Sequence, residues 1–249
     1  MKILVCISNV PDTTTRIQLD KEGKSASLEQ VQWIINPWDE LALTRAVELK
    51  EQHGQLFESL TVVTVGTTRC EPTLRKALAV GADRAVRIDA EARDAWQVAQ
   101  QITALMMDES FDLVLAGIES SDYNGSSVGA MVGALTGQTI ASNVSSVEAD
   151  EGGFTVVQET DSGRETLYIK PPLLAVVQKG VAIDPRIPAM RGIMLARQKP
   201  LDVRKPSAVE PLQRITAMEL PPPRAACRML APDKMDELVS LLQNESKVL

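Results

Sequence analysis

Ile3–Ile7 is a short continuous apolar run, and the strand-like stretches Leu60–Val65, Ala85–Ile88 and Phe111–Gly117 follow it with helix signals between successive stretches. A run that is apolar at successive positions reads as a strand covered on both faces. Strands of this kind linked by single helices build a parallel sheet with right-handed crossovers. The expected fold is α/β: an open, mostly parallel, Rossmann-like sheet with flanking helices.

The helices carry their own signals. Asn36-Pro37 opens one, with Asn in the capping position, Pro at the first helical residue, and Asp39 and Glu40 at the positive dipole end. Leu43, Ala46 and Val47 give it an apolar stripe, and His53-Gly54 ends it. Leu74, Ala77 and Leu78 mark a second helix, stopped by Gly81; Ala95, Val98, Ala99, Ile102 and Leu105 mark a third; Val128–Leu135 is a fourth, built of small residues.

The rhythm changes after about residue 140. Phe154–Glu159 and Glu165–Ile169 alternate around the turn Thr160-Asp161-Ser162-Gly163 and read as an extra antiparallel hairpin at the sheet's edge. Leu173–Val177 is another buried strand. The tail from Pro200 to Met229 has little apolar periodicity and the run Pro221-Pro222-Pro223, so it is either disordered or an extended arm laid on another chain. A terminal helix follows, with Met235, Leu238, Val239 and Leu242 on one face in need of a surface. The expected division is an α/β domain over residues 1–199 and an arm with terminal helix over 200–249.

A net charge of −7 and an aromatic content of 3% argue against nucleic acid as the main partner. Cys6, Cys70 and Cys227 lie far apart without CxxC spacing, which gives no metal or disulfide framework and suits a reducing compartment. The first residues look like a buried strand and no stretch approaches a membrane span, so a cytoplasmic protein without stable membrane insertion is expected.

In open parallel sheets ligands bind beyond the carboxyl ends of strands, near the point where strand order reverses. Four segments fall at such ends: Ser8–Asp12, Asn36–Asp39, Val65–Thr68 and Ile118–Ser127. The last is rich in Gly and Ser before a helix, where backbone N–H groups and the dipole favour a phosphate, and Asp122 can accept from a ribose hydroxyl or an adenine amino group. A capped βα turn explains the same residues without a ligand. There is no GxxxxGK[ST] and no GxGxxG after the first strand, so phosphate would be held by backbone without a lysine. His53 is the only histidine and sits at a helix end, and nothing pairs with the cysteines. No catalytic residues and no metal ligands are expected; a chain that only positions a redox cofactor needs none.

Residues 184–197 read Asp-Pro-Arg-Ile-Pro-Ala-Met-Arg-Gly-Ile-Met-Leu-Ala-Arg, a loop pinned by Pro185 and Pro188 with Met190 at its tip between Arg186 and Arg191. A helix-like run follows from Gly192 to Lys199. A thioether offered on a basic loop suggests docking; a surface loop with a stray Met explains it equally well.

Together these stretches resemble the beta subunits of electron-transfer flavoproteins, over nearly the whole chain. The resemblance is carried by Lys2–Cys6, Asn36–Glu40, Thr73–Arg84, Asp112–Gly117 and Asp184–Lys199. It implies an adenine-nucleotide pocket for AMP formed by Cys6, Asn36, Pro37, Trp38, Asp39, Val65 and Gly117, with Ser120, Ser121, Asp122, Gly125, Ser126, Ser127 and Val128. It also implies FAD shared with an alpha subunit in a heterodimer, Trp38 near that flavin, Thr13 where an aromatic can occur, and Glu159 facing the alpha subunit. Residues 178–199 would be the recognition loop, with Met190, Arg186 and Arg191 docking dehydrogenases such as acyl-CoA dehydrogenases. Bifurcating relatives carry Gly-Asp-Thr-x-Gln-Val-Gly-Pro where this chain has Tyr123-Asn-Gly-Ser-Ser-Val-Gly-Ala130, which favours AMP; Val10-Pro11-Asp12-Thr13 pulls toward a second FAD and NADH oxidation. A free-standing ATP- or AMP-binding stress-type module is the remaining alternative.

Overall fold

A computed structural model of the chain describes every residue except 21, 22, 24, 29, 30, 225 and 249. Its strands are β1 (Lys2–Cys6), β2 (Asn9–Pro11), β3 (Trp33–Ile35), β4 (Ser59–Val65), β5 (Arg84–Ile88), β6 (Leu113–Gly117), β7 (Thr139–Ala149), β8 (Phe154–Thr160), β9 (Gly163–Ile169), β10 (Leu173–Val177) and β11 (Leu201–Arg204). Its α-helices are α1 (Pro37–Gln52), α2 (Glu71–Val80), α3 (Ala95–Asp108), α4 (Val128–Thr136), α5 (Met190–Ala196) and α6 (Met235–Asn244). The chain divides into two units, Met1–Ile17 with Ser27–Thr216, and Gln18–Ala26 with Ala217–Leu249.

In the larger unit the strands run β11-β5-β4-β1-β6-β10-β7-β8-β9 in one sheet. All pairings from β11 to β7 are parallel, and β7, β8 and β9 are antiparallel. β2 and β3 form a separate antiparallel pair. The fold is thus the α/β class expected, with the β8–β9 hairpin at its edge.

The sheet is covered on both sides because the strand pleat sends successive side chains to opposite faces. Ile3 and Val5 point into a core with Leu43, Ala46, Leu74 and Ala77 of α1 and α2. Leu4, Val63 and Val86 point the other way, into a core with Ala99, Ile102, Leu105 and Val132 of α3 and α4.

Three local readings need correction. Asn36 occupies the N-cap position of α1 but makes no side-chain cap bond. Met190 is the first residue of α5, not the tip of a loop. Leu201–Arg204, expected to begin a tail either disordered or laid as an extended arm on another chain, pair in parallel with Ala85–Ile88 as β11. From β11 to Thr216 the chain stays in the larger unit: the Leu212 and Gln213 amides donate to Asp94 Oδ2 at 2.6 and 2.9 Å, while Asp94 Oδ1 caps α3 through Gln97 N. Among the described residues of the smaller unit α6 is the one helix, and Met235, Leu238 and Val239 on it are exposed.

Candidate functional site: the crevice at the strand-order reversal

The first three crossovers fix the geometry. From β1 the chain passes through α1 to β4 and α2 to β5 on one side; α3 then carries it back across β1 to β6 on the other. Strand order therefore reverses between β1 and β6, and the crevice lies beyond their carboxyl ends. Cys6 ends β1 and Gly117 ends β6. The N-termini of α1 and α4 both follow from strands at that same end, so their dipoles favour negative charge there.

Asp39 joins the two strand ends. It is buried, with Oδ2 accepting the Ser8 amide at 2.7 Å and Oδ1 accepting the Gly117 amide at 3.0 Å. Burial raises its pKa from 3.8 to about 6, against the lowering effect of hydrogen bonds from Ser8, Asn36 and Gly117. Burial, and then the Asp39 carboxylate, pushes the Cys6 thiol up to about 12, so it is an inert packing group.

Asn36, fully buried, ties the loop after β6 to the start of α1. Its Nδ2 donates to Glu119 O at 2.8 Å and its Oδ1 accepts the Ser121 amide at 3.1 Å. The side chain makes this bridge and caps no backbone amide of its own helix. Its carbonyl still accepts from the Asp39 and Glu40 amides. Gly117 permits the close approach: a Cβ there would meet Asp39 Oδ1 at 2.4 Å and Trp38 Cβ at 2.7 Å.

The structure brings most of the expected residues to this end of the sheet. Asn36, Pro37, Trp38 and Asp39 stand at the start of α1, joined by hydrogen bonds to Gly117 and Ser121. Cys6, Val65 and Val128 are partly covered and pack against the core on the α3–α4 side. Ser120 precedes Ser121 and accepts the Asn124 amide through its carbonyl. Asp122, Gly125 and Ser126 are exposed, and Ser127 stands in the N-cap position of α4 without a side-chain cap bond. Asn124 (φ 50°) and Ser126 (φ 46°) adopt left-handed backbone, which Asn tolerates and Ser does at some cost. Ser8 belongs to the site through its amide; its place after the first strand put its segment among the candidates, but a backbone donor has no side-chain signature that marks the residue itself.

The residues expected to dock a partner are elsewhere. The Arg186 amide donates to Thr44 Oγ1 at 2.9 Å and its guanidinium to Glu51 Oε2 at 2.7 Å, fixing the loop to α1. Met190 is 76% exposed, and Arg191 is exposed with no carboxylate partner among the described residues. Ile183, Ile187 and Met194 are exposed beside it. Their signal was available in the sequence, as apolar residues spaced through a proline-bounded loop. α5 is locked to α2 by reciprocal cation–carbonyl bonds. Arg75 donates to Ala196 O and Lys199 O at 2.8 and 2.7 Å, and Lys199 Nζ donates to Leu78 O and Ala82 O at 2.9 and 2.6 Å. Glu159 lies on β8, where its carboxylate accepts from Ser145 Oγ and Arg164 Nε, not from residues 178–199. Among the described residues no His, Cys, Asp and Glu group is arranged to hold a metal ion, and no helix is long and apolar enough to cross a membrane.

The open, mostly parallel sheet with its strand-order reversal between β1 and β6 defines an α/β protein of the doubly wound kind. Comparison with known proteins makes this specific. The family model described as "Electron transfer flavoprotein domain" matches residues 26–209. The chain is 32% identical to electron transfer flavoprotein subunit beta of Bacillus subtilis (strain 168) and 30% identical to that of Bradyrhizobium diazoefficiens, across 100% of this chain and of each relative. It is 28% identical to the human subunit beta, over 100% of this chain and 99% of that protein. The chain belongs to the electron transfer flavoprotein beta-subunit family.

Proposed function

We propose that the chain is the non-catalytic beta subunit of a heterodimeric electron carrier of the cytoplasm, and that its crevice holds AMP. The observation carrying this reading is the Asn36–Asp39 segment bound at once to Ser8, Gly117, Glu119 and Ser121, which ties the start of the loop leading to α4 to the start of α1. The amides of the first turn of α4 face the phosphate, and Asp122, whose carboxylate has no partner among the described residues, receives ribose or adenine donors. With no lysine in the loop and the Asp39 carboxylate engaged by the Ser8 and Gly117 amides, the nucleotide is held rather than hydrolysed.

FAD, held mainly by the alpha subunit, supplies the electron chemistry when bound. This chain's residues close one side of that site through Trp38, face the alpha subunit through Glu159, and offer Met190 with Arg186 and Arg191 to dehydrogenases such as acyl-CoA dehydrogenases. Partners that must separate after each delivery are served by one apolar plug in a small charged surround. Co-expression with the alpha subunit should give a yellow heterodimer that acyl-CoA dehydrogenases reduce. A colourless monomer or homodimer that ignores the alpha subunit would instead support the stress-type module.

A further inference from the structure

Between α2 and α5 lies a groove of about 590 Å³ with a floor of Ala79, Pro188, Ile193 and Ala196 and the cations Arg197 and Lys76 among its lining residues. α5 can lie this close to α2 because residue 192 is glycine: a Cβ there would fall 2.4 Å from Ala79 O. Lys76 is occupied by Glu40, and Arg75, which also lines the groove, is turned onto the carbonyls of Ala196 and Lys199. Arg197 is exposed and has no carboxylate partner among the described residues. Helical spacing sets Ile193, Arg197, Met190 and Met194 within about 100° of arc on α5, so the groove and the exposed methionines form one continuous surface.

Resting on the docking reading above, we infer that this groove is the receiving half of the same interface. Met190 enters the dehydrogenase, and the groove takes in return an apolar side chain that the dehydrogenase carries next to an Asp or Glu. The apolar floor accepts the side chain, and the unpaired Arg197 guanidinium pairs with the carboxylate. Charge selects this occupant. A second copy of the chain would bring Arg191 and Arg197 against their own like charges, whereas an acidic dehydrogenase patch complements them.

The test uses the purified alpha–beta heterodimer and a reduced acyl-CoA dehydrogenase, with the second-order rate of flavin reduction measured across ionic strength for Met190→Ala, Ile193→Ser and Arg197→Glu. Arg197→Glu and Ile193→Ser should each lower the rate roughly fivefold or more without loss of flavin, and Arg197→Glu should also flatten or invert the salt dependence. If Met190→Ala slows reduction while the other two match the parent, the groove is idle and the inference falls while the docking reading stands. If Met190→Ala has no effect either, the docking reading falls and takes the inference with it. Should Ile193→Ser also lower the melting temperature, Arg197→Glu, at an exposed position, decides. A photo-crosslinker placed at position 193 should recover a dehydrogenase peptide with an apolar residue beside Asp or Glu; recovery of alpha-subunit peptides would overturn the assignment.

Discussion

Asp39 and Gly117 are in direct contact: Asp39 Oδ1 accepts the Gly117 amide at 3.0 Å, and a methyl group on residue 117 would lie 2.4 Å from that same oxygen. The start of α1 can therefore sit over the end of β6 only because residue 117 has no side chain. Gly117→Ala should force the two elements apart and cost about 1–3 kcal/mol, the usual range for overpacking a filled site. Chemical denaturation of the heterodimer measures the loss. AMP extracted from the variant should fall with it.

Asn36→Ala removes the donor to Glu119 O and the acceptor for Ser121 N in one step. Both groups it leaves are partly buried, and a cost of about 1–3 kcal/mol is expected. Hydrogen exchange at residues 118–127 should speed up in the variant. Unchanged exchange there would mean that the loop is held by something other than Asn36.

Asp39 gives the crevice a pH signature. Its folded-state pKa of about 6 lies above the ordinary 3.8, so between these values the folded chain binds the proton that the unfolded chain has released. The contribution of this group to stability then falls as pH rises from about 4 to about 6 and is level outside that window, with a span on the order of 3 kcal/mol. Stability measured against pH should show this decline in the parent relative to Asp39→Asn, which lacks the titration. Parallel curves would contradict the raised pKa.

Gly192→Ala places a Cβ 2.4 Å from Ala79 O, a backbone atom of α2 that cannot swing aside. α5 should lift from its mount, displacing Met190 and weakening reduction by dehydrogenases, with flavin and AMP retained. Loss of both cofactors from this variant would show that docking loop and crevice are not independent.

The central strands were legible because Ile3, Leu4 and Val5, and likewise Leu113, Val114 and Leu115, are buried on both faces, leaving an unbroken apolar run in the sequence. β7 was not: its buried Ala141, Val144, Val147 and Ala149 lose strict alternation where the register shifts between Val144 and Ser146. β11 was hidden because an edge strand with half its residues exposed has no apolar run to show. At the site, the composition of the Asn36–Asp39 segment placed it at a helix start, but the side-chain direction of Asn36 depends on a loop more than 80 residues away. Likewise, the mounting of α5 by Arg75 and Lys199 runs through backbone carbonyls of distant segments, which a sequence does not mark.

The most direct measurement is the count of cofactors released from one purified heterodimer. The proposed function predicts one FAD and one AMP per alpha–beta pair. Two FAD with no adenylate would contradict it and assign the β1–β6 crevice to a second flavin.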